Sequence, residues 1–170
     1  MKLIKPSFLI KEQEPGLLGI YRQIEYAGRI CYKSSDKITP TSAEEFVNRM
    51  IKSGHHAMLE FGTVYLIAKN KEYIESHGYL NPLQKYEYNQ YSKVKFDTKD
   101  DEEYYCVTTN YRVLVENSWL DDLQYLCEPT EYHEKRICVR FTTDRGISHE
   151  LVRHRVFSFA QESTRYCDYS

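Results

Sequence analysis

Thr41-Ser42-Ala43-Glu44-Glu45-Phe46-Val47-Asn48-Arg49-Met50-Ile51-Lys52-Ser53-Gly54 and, shortly after it, Thr63-Val64-Tyr65-Leu66-Ile67-Ala68 decide the fold class. In the first stretch Phe46, Val47, Met50 and Ile51 recur at helical spacing. Thr41 or Ser42 is a candidate N-cap, and Glu44 and Glu45 put negative charge in the first turn, where the helix dipole favours it. Gly54 supplies the left-handed residue that closes a helix. The second stretch is β-branched and aromatic, and it reads as a strand. A helix leading into a strand, in a chain without regular βα repetition, predicts an α+β fold.

Working outward, Leu17 to Cys31 carries Leu17, Ile20, Ile24 and Ala27 at helical spacing, and Phe8-Leu9-Ile10 reads as a short strand. Lys33 to Lys37 is polar and loop-like. Residues 70 to 103 have no clear period and hold the acidic run Asp100-Asp101-Glu102-Glu103, so they read as an excursion with an exposed loop. Tyr104 to Thr109 predicts a strand. Asn110 is placed to cap a helix running to about Trp119, and Asp121 to Cys127 can form another short one. Arg136 to Thr142 predicts a strand, expected beside Thr63–Ala68 in one sheet. Asp144 precedes a helical stretch from about Gly146 to Val156. The whole reads as a single domain over residues 1–170.

The chain has 170 residues, 23 Lys plus Arg against 25 Asp plus Glu, and a net charge of −2. That excludes a generally basic nucleic-acid coat and leaves room for a local basic site. The Tyr86–Tyr91 run is aromatic but poor in basic residues, so no nucleic-acid partner is expected. No run of about 18 apolar residues exists, so no membrane span is expected. Met1 to Pro6 is too short and interrupted to read as a signal peptide. Five cysteines without repeating spacing predict free thiols and a cytoplasmic chain. His55 and His56 are adjacent but lack completing ligands, so no metal is expected. His77, His133 and Trp119 carry structural readings only.

The densest polar cluster is Ser148-His149-Glu150-Leu151-Val152-Arg153-His154-Arg155. On a helix, His149, Glu150, Arg153 and His154 share one arc, while Ile147, Leu151, Val152 and Val156 fill most of the other. Arg155 falls between apolar pairs and there calls for an anionic partner. The same cluster also reads as a surface helix in which Glu150 pairs Arg153 and His154. Phe157 to Tyr166 then packs hydroxyls, an amide, a carboxylate and a guanidinium together. Arg165 can fork onto a phosphate, with Ser163, Thr164 and backbone N–H groups completing such a site.

Arg153, His154, Arg155, Ser158, Ser163, Arg165 and Tyr166 resemble, in register, the signature Arg-His-Arg-x-x-Ser-x-Asn-Glu-x-Ser-x-Arg-Tyr of the flavin-dependent thymidylate synthases, the ThyX family. Ala160 and Gln161 depart from it. Gly54-His55 followed by Leu59-Glu60 resembles the family's Gly-His segment, with Ala57 where a hydroxyl is common. Asp144 to Val152 looks like the helix that delivers the signature. The resemblance covers roughly residues 15–70 and 135–170, and it implies that residues at about 70–134 are an insertion, to which no role is assigned.

The resemblance implies reductive methylation of dUMP to dTMP, with FAD as cofactor and NADPH and methylenetetrahydrofolate as co-substrates. It places His55, Arg153, His154, Arg155 and Gln161 at the flavin. Glu150, Arg153, Gln161, Glu162, Ser163, Thr164 and Arg165 would line dUMP, with Ser163 as a substrate positioner and not a nucleophile. It implies a homotetramer. Family members continue beyond the signature, so the chain is expected to match the N-terminal portion of the family fold. The alternatives from the residues alone are an inactive nucleotide- or flavin-binding fragment, or an interaction protein whose Arg-His-Arg helix meets an acidic partner.

Overall fold

The computed structural model describes residues 5–70, 81–99 and 102–163. Helix α1 (Gly16–Cys31) buries Ile20, Ile24 and Ala27, the stripe that its spacing predicts. It packs on α2 (Ser42–Lys52), which answers with Ala43, Phe46, Val47 and Met50. The helices approach closely at Gly28, where any Cβ would collide with the Phe46 ring. Buried Glu25 ties the pair together. Its carboxylate accepts Arg29 Nε and Nη2 at 3.1 and 2.9 Å and the Ser42 hydroxyl at 2.9 Å. Ser42 Oγ also accepts the Thr39 N–H, so it is spent there, and neither Thr41 nor Ser42 makes the expected side-chain cap bond. At the other end of α2, Gly54 has φ +70. Its N–H reaches the Ile51 carbonyl at 3.1 Å and that of His55 reaches Met50 at 3.0 Å. That is a Schellman closure, and it pins the backbone of His55.

Two antiparallel sheets follow. Strand β2 (Thr63–Lys69) pairs with β4 (Glu102–Asn110), and β4 pairs with β3 (Lys93–Lys99), giving the order β2-β4-β3. Strand β1 (Ser7–Lys11) pairs with β5 (Cys138–Thr142), with Phe8 opposite Phe141. The expected neighbourhood of Thr63–Ala68 and Arg136–Thr142 is therefore corrected: they lie in different sheets. β4 takes one edge of β2 and Leu126–Cys127 bridges the other at Leu66 and Tyr65, which leaves β5 to β1. The irregular reading of 70–103 is corrected too. Among its described residues lie a 3₁₀ turn at Gln84–Tyr88 and the whole of β3.

The core gathers Ile20, Ile24, Phe46 and Val47 from the helices, Val64 and Leu66 from β2, and Val107 from β4. Leu83, Tyr86, Tyr111 and Leu114 complete it. Helix α3 (Tyr111–Glu116) is capped as predicted, Asn110 accepting the Val113 N–H at 3.2 Å, but it ends before Trp119. A 3₁₀ turn, Leu120–Tyr125, takes the place of the second short helix. Its Asp122 is buried, accepting the Tyr86 hydroxyl and the Lys85 ammonium, each at 2.8 Å. Trp119 stacks edge-on against Tyr86, which bears out its structural reading.

Helix α4 (Arg145–Leu151) starts directly after Asp144, which caps it by accepting the Ile147 N–H at 3.0 Å. It stops at Leu151 and does not reach Val156. None of its residues is buried, so no packed face extends it. Arg155 accordingly lies beyond the helix and is exposed, not buried between apolar pairs. Among the described residues no helix is long and apolar enough to cross a membrane.

Candidate functional site

A cleft of about 1240 Å³ opens between the β1–β5 ribbon and the body of the fold. Arg155, Phe157 and Ser158 from the segment after α4 line it, with Glu60, Arg112 and Arg136. A smaller pocket of about 450 Å³ is lined by His55, His56, Cys31 and Met58. Arg112 and Glu116 line both.

One hydrogen-bonded chain runs along the wall shared by the two cavities. Ser158 Oγ donates to Glu60 Oε2 at 2.6 Å, joining residues 98 positions apart. Glu60 Oε1 accepts Arg112 Nη1 at 2.6 Å. Arg112 Nε donates to Glu116 Oε1 at 2.8 Å, which also meets His56 Nδ1 at 3.2 Å. The guanidinium, and less strongly His56, hold the Glu116 carboxyl below its ordinary pKa. The same hydrogen bond to Glu116 raises Arg112, burial opposing it and Glu60 adding to it.

Of the residues read from the sequence, His55 is exposed on the rim of the smaller pocket. Arg153, just past the end of α4, pairs with Glu150 at 3.1 Å, one of the two pairs that the surface-helix reading gave; no ion pair joins Glu150 and His154 among the described residues. His154 is exposed in the turn that follows. Arg155 lines the larger cleft and has no ion-pair partner among the described residues. Gln161 Nε2 donates to Ser148 Oγ at 2.9 Å, which holds the segment against α4. Farther on the chain turns back to α1. The Ser163 N–H donates to the Cys31 carbonyl at 3.0 Å, and Glu162 lies 3.9 Å from Lys33 Nζ. Thr164, Arg165 and Tyr166 lie outside the described residues, as does His77. The structure thus draws Ser158 to the Gly-His segment, and Ser163 to a helix end beside His55. It leaves the Glu150–Arg153 pair apart from both.

Arg112, Glu116 and Arg136 are site residues that the sequence reading did not single out. The i,i+4 spacing of Arg112 and Glu116 on a capped helix was the available signal. Arg136 donates to the Tyr91 carbonyl at 2.7 Å. It is open to solvent yet set within the cleft, and the surrounding protein lowers its pKa by desolvation.

The loop from Leu126 to Ile137 forms another wall of the cleft. It is pinned to β2 by the Cys127 N–H on the Tyr65 carbonyl at 2.9 Å and by buried His133. The Thr130 N–H can only donate, so His133 Nδ1 is its acceptor at 3.1 Å and the proton sits on Nε2, 3.1 Å from the Leu66 carbonyl. Burial lowers the His133 pKa, and it pushes the neighbouring Cys127 thiol up to about 11. His133 is a structural lock, as its sequence reading held.

Residues 129–170 match the family model described as thymidylate synthase complementing protein. No curated protein and no solved structure matches the chain. The matched residues include β5, α4 and the Arg153–Ser163 segment, so the family resemblance is borne out over that stretch.

Proposed function

We propose that the chain carries the nucleotide and flavin site of a flavin-dependent thymidylate synthase, converting dUMP to dTMP with FAD, NADPH and methylenetetrahydrofolate. The observation that carries this reading is the Ser158–Glu60 bond. It joins the family-matched segment to the Gly-His segment at the mouth of a cleft large enough for a dinucleotide or nucleotide. The donor chemistry fits a phosphate-bearing ligand. Arg155 lines the cleft without a carboxylate partner among the described residues, and Arg112 already takes up the charges of Glu60 and Glu116. At this wall an anionic ligand therefore meets a guanidinium, with the charges of Glu60 and Glu116 taken up, while Glu12 and Glu128 line other parts of the cleft.

On this reading His55, Arg153, His154, Arg155 and Gln161 hold FAD. Glu150, Arg153, Gln161, Glu162, Ser163, Thr164 and Arg165 line dUMP. Bound FAD supplies the hydride relay between NADPH and the transferred carbon. Arg155 contributes forked hydrogen bonds to a phosphate. Ser163, its backbone fixed on Cys31, presents a hydroxyl that positions the nucleotide. The enzyme works in the cytoplasm, where free thiols such as Cys127 and Cys138 persist. It works as a homotetramer. The exposed Phe8, Leu9, Ile10 and Phe141 of the β1–β5 ribbon support association, since a two-stranded ribbon is marginal alone.

The test is titration of the purified protein with FAD, followed by absorbance, then with dUMP, then turnover with NADPH and methylenetetrahydrofolate. Bound flavin, saturable dUMP binding and dTMP formation are expected. A protein that takes up neither ligand would overturn the reading. Light scattering that shows a monomer at micromolar concentration would overturn the assembly.

A further inference from the structure

We propose that Arg112, which lies outside both segments that carry the resemblance, is a positioning residue for the cleft: it orients Glu60 so that Ser158, and with it the Arg153–Arg155 turn, is held against the Gly-His segment. The inference rests on the functional reading above for its purpose and on the hydrogen-bond geometry for its substance.

Glu60 has two oxygens, and each has one partner. Oε1 takes the Arg112 guanidinium and Oε2 takes the Ser158 hydroxyl. Fixing the first oxygen aims the second. Arg112 can do this because it stands on a rigid platform. Helix α3 is capped by Asn110, and the Tyr111 N–H donates to the Gly62 carbonyl at 2.8 Å. The Tyr111 ring packs edge-on against Tyr21, and Leu114 is fully buried. Ser158 is the opposite case. It is exposed and lies outside regular structure, in a segment held otherwise by Gln161 on Ser148 and by the Ser163 N–H on Cys31. A rigid group therefore sets a mobile-prone one, and the order is not reversed.

The same guanidinium holds the other end of the chain. Its Nε fixes Glu116, and Glu116 fixes His56, the neighbour of His55 in the smaller pocket. Two carboxylates from different elements are thus held by two edges of one planar group. A lysine ammonium keeps the charge but cannot span both at these angles. Partly exposed ion pairs add little to global stability. What the arrangement fixes is the register of the segment across the cleft.

The experiment compares wild type, Arg112→Lys, Ser158→Ala and the double variant by amide hydrogen exchange of the whole chain, and then by FAD and dUMP titration. Each single variant should speed exchange over residues 153–160 about tenfold, and the double variant should do no more than either, because both cut one tether. Exchange in β2 and β4 should not change, and the melting temperature should move by about 2 °C or less. FAD and dUMP affinities should fall about tenfold in both single variants. Unchanged exchange at 153–160 in Arg112→Lys, additive effects in the double variant, or equal acceleration in β2 and β4 would each overturn the proposal. If wild type binds neither ligand, the functional reading fails, and the exchange pattern still decides the tether.

Discussion

His133 offers a sharp test of how the cleft wall is built. Its neutral ring donates from Nε2 to the Leu66 carbonyl and accepts the Thr130 N–H at Nδ1. The Thr130 hydroxyl lies 2.9 Å from the same nitrogen. Protonation would place a second N–H against a donor, inside a site where the ring is only 4% exposed. The folded pKa is therefore depressed, by burial first, with the Leu66 bond opposing in part. In the unfolded chain the ring titrates near the ordinary value, about 6.5. Below that pH the unfolded state binds the extra proton and the folded state does not. The stability contributed by neutral His133 is complete above about pH 6.5 and is lost as the pH falls. The slope approaches about 1.4 kcal/mol per pH unit until the folded group titrates too. His133→Gln keeps an amide that can reach Leu66 and removes the titration. At pH 8 it should cost about 1–3 kcal/mol, the penalty of leaving the Thr130 donors short of an acceptor. Urea unfolding of both proteins from pH 5 to pH 8 measures the difference. The wild-type excess in stability should shrink as the pH falls. An excess that stays constant over this range, or grows toward pH 5, would refute the tautomer and the burial argument together.

Gly28→Ala should destabilise by about 1–3 kcal/mol, because the new Cβ collides with the Phe46 ring across the α1–α2 contact; thermal melting checks it. Asp122→Ala should cost about 1–3 kcal/mol in chemical unfolding, since it leaves the buried Tyr86 hydroxyl without its acceptor, while the partly exposed Lys85 ammonium can turn to solvent. Arg155→Ala should leave stability within about 0.5 kcal/mol, the side chain being exposed, and weaken binding of a phosphate-bearing ligand by about 1.5–3 kcal/mol; calorimetry with FAD and dUMP separates the two effects. Arg165→Lys, read from the sequence, should weaken dUMP binding by about 1–3 kcal/mol and leave flavin content unchanged.

The helices were legible because their signals are local. The stripe of Ile20, Ile24 and Ala27, the caps at Asn110 and Asp144, and the closure at Gly54 each lie within a turn or two of what they control. Strand pairing is not local. Nothing in Thr63–Ala68 says that β4 and not β5 will lie beside it, since both candidates are apolar and β-branched. The strand Lys93–Lys99 was hidden for another reason: its alternation is short and sits among Tyr, Asn and Lys. The early end of α4 escaped the helical wheel, because a wheel assumes a surface on which to bury the apolar arc.

The candidate site shows the same division. The Arg-His-Arg turn and the Gly-His segment could be read in place, because each is a contiguous motif. The side chain that joins them could not, since Arg112 lies 52 positions from Glu60 and comes from the stretch that the sequence reading assigned no role. That stretch is no appendage. It supplies β4, which completes the pairing of β2, and buries Leu83, Tyr86, Val107 and Leu114 in the common core. It also erects α3, on which Arg112 stands. A segment that contributes this much of the core cannot drift relative to the residues around it. For that reason Arg112 can transmit a fixed geometry from the packed interior to Ser158, whose own segment buries almost nothing.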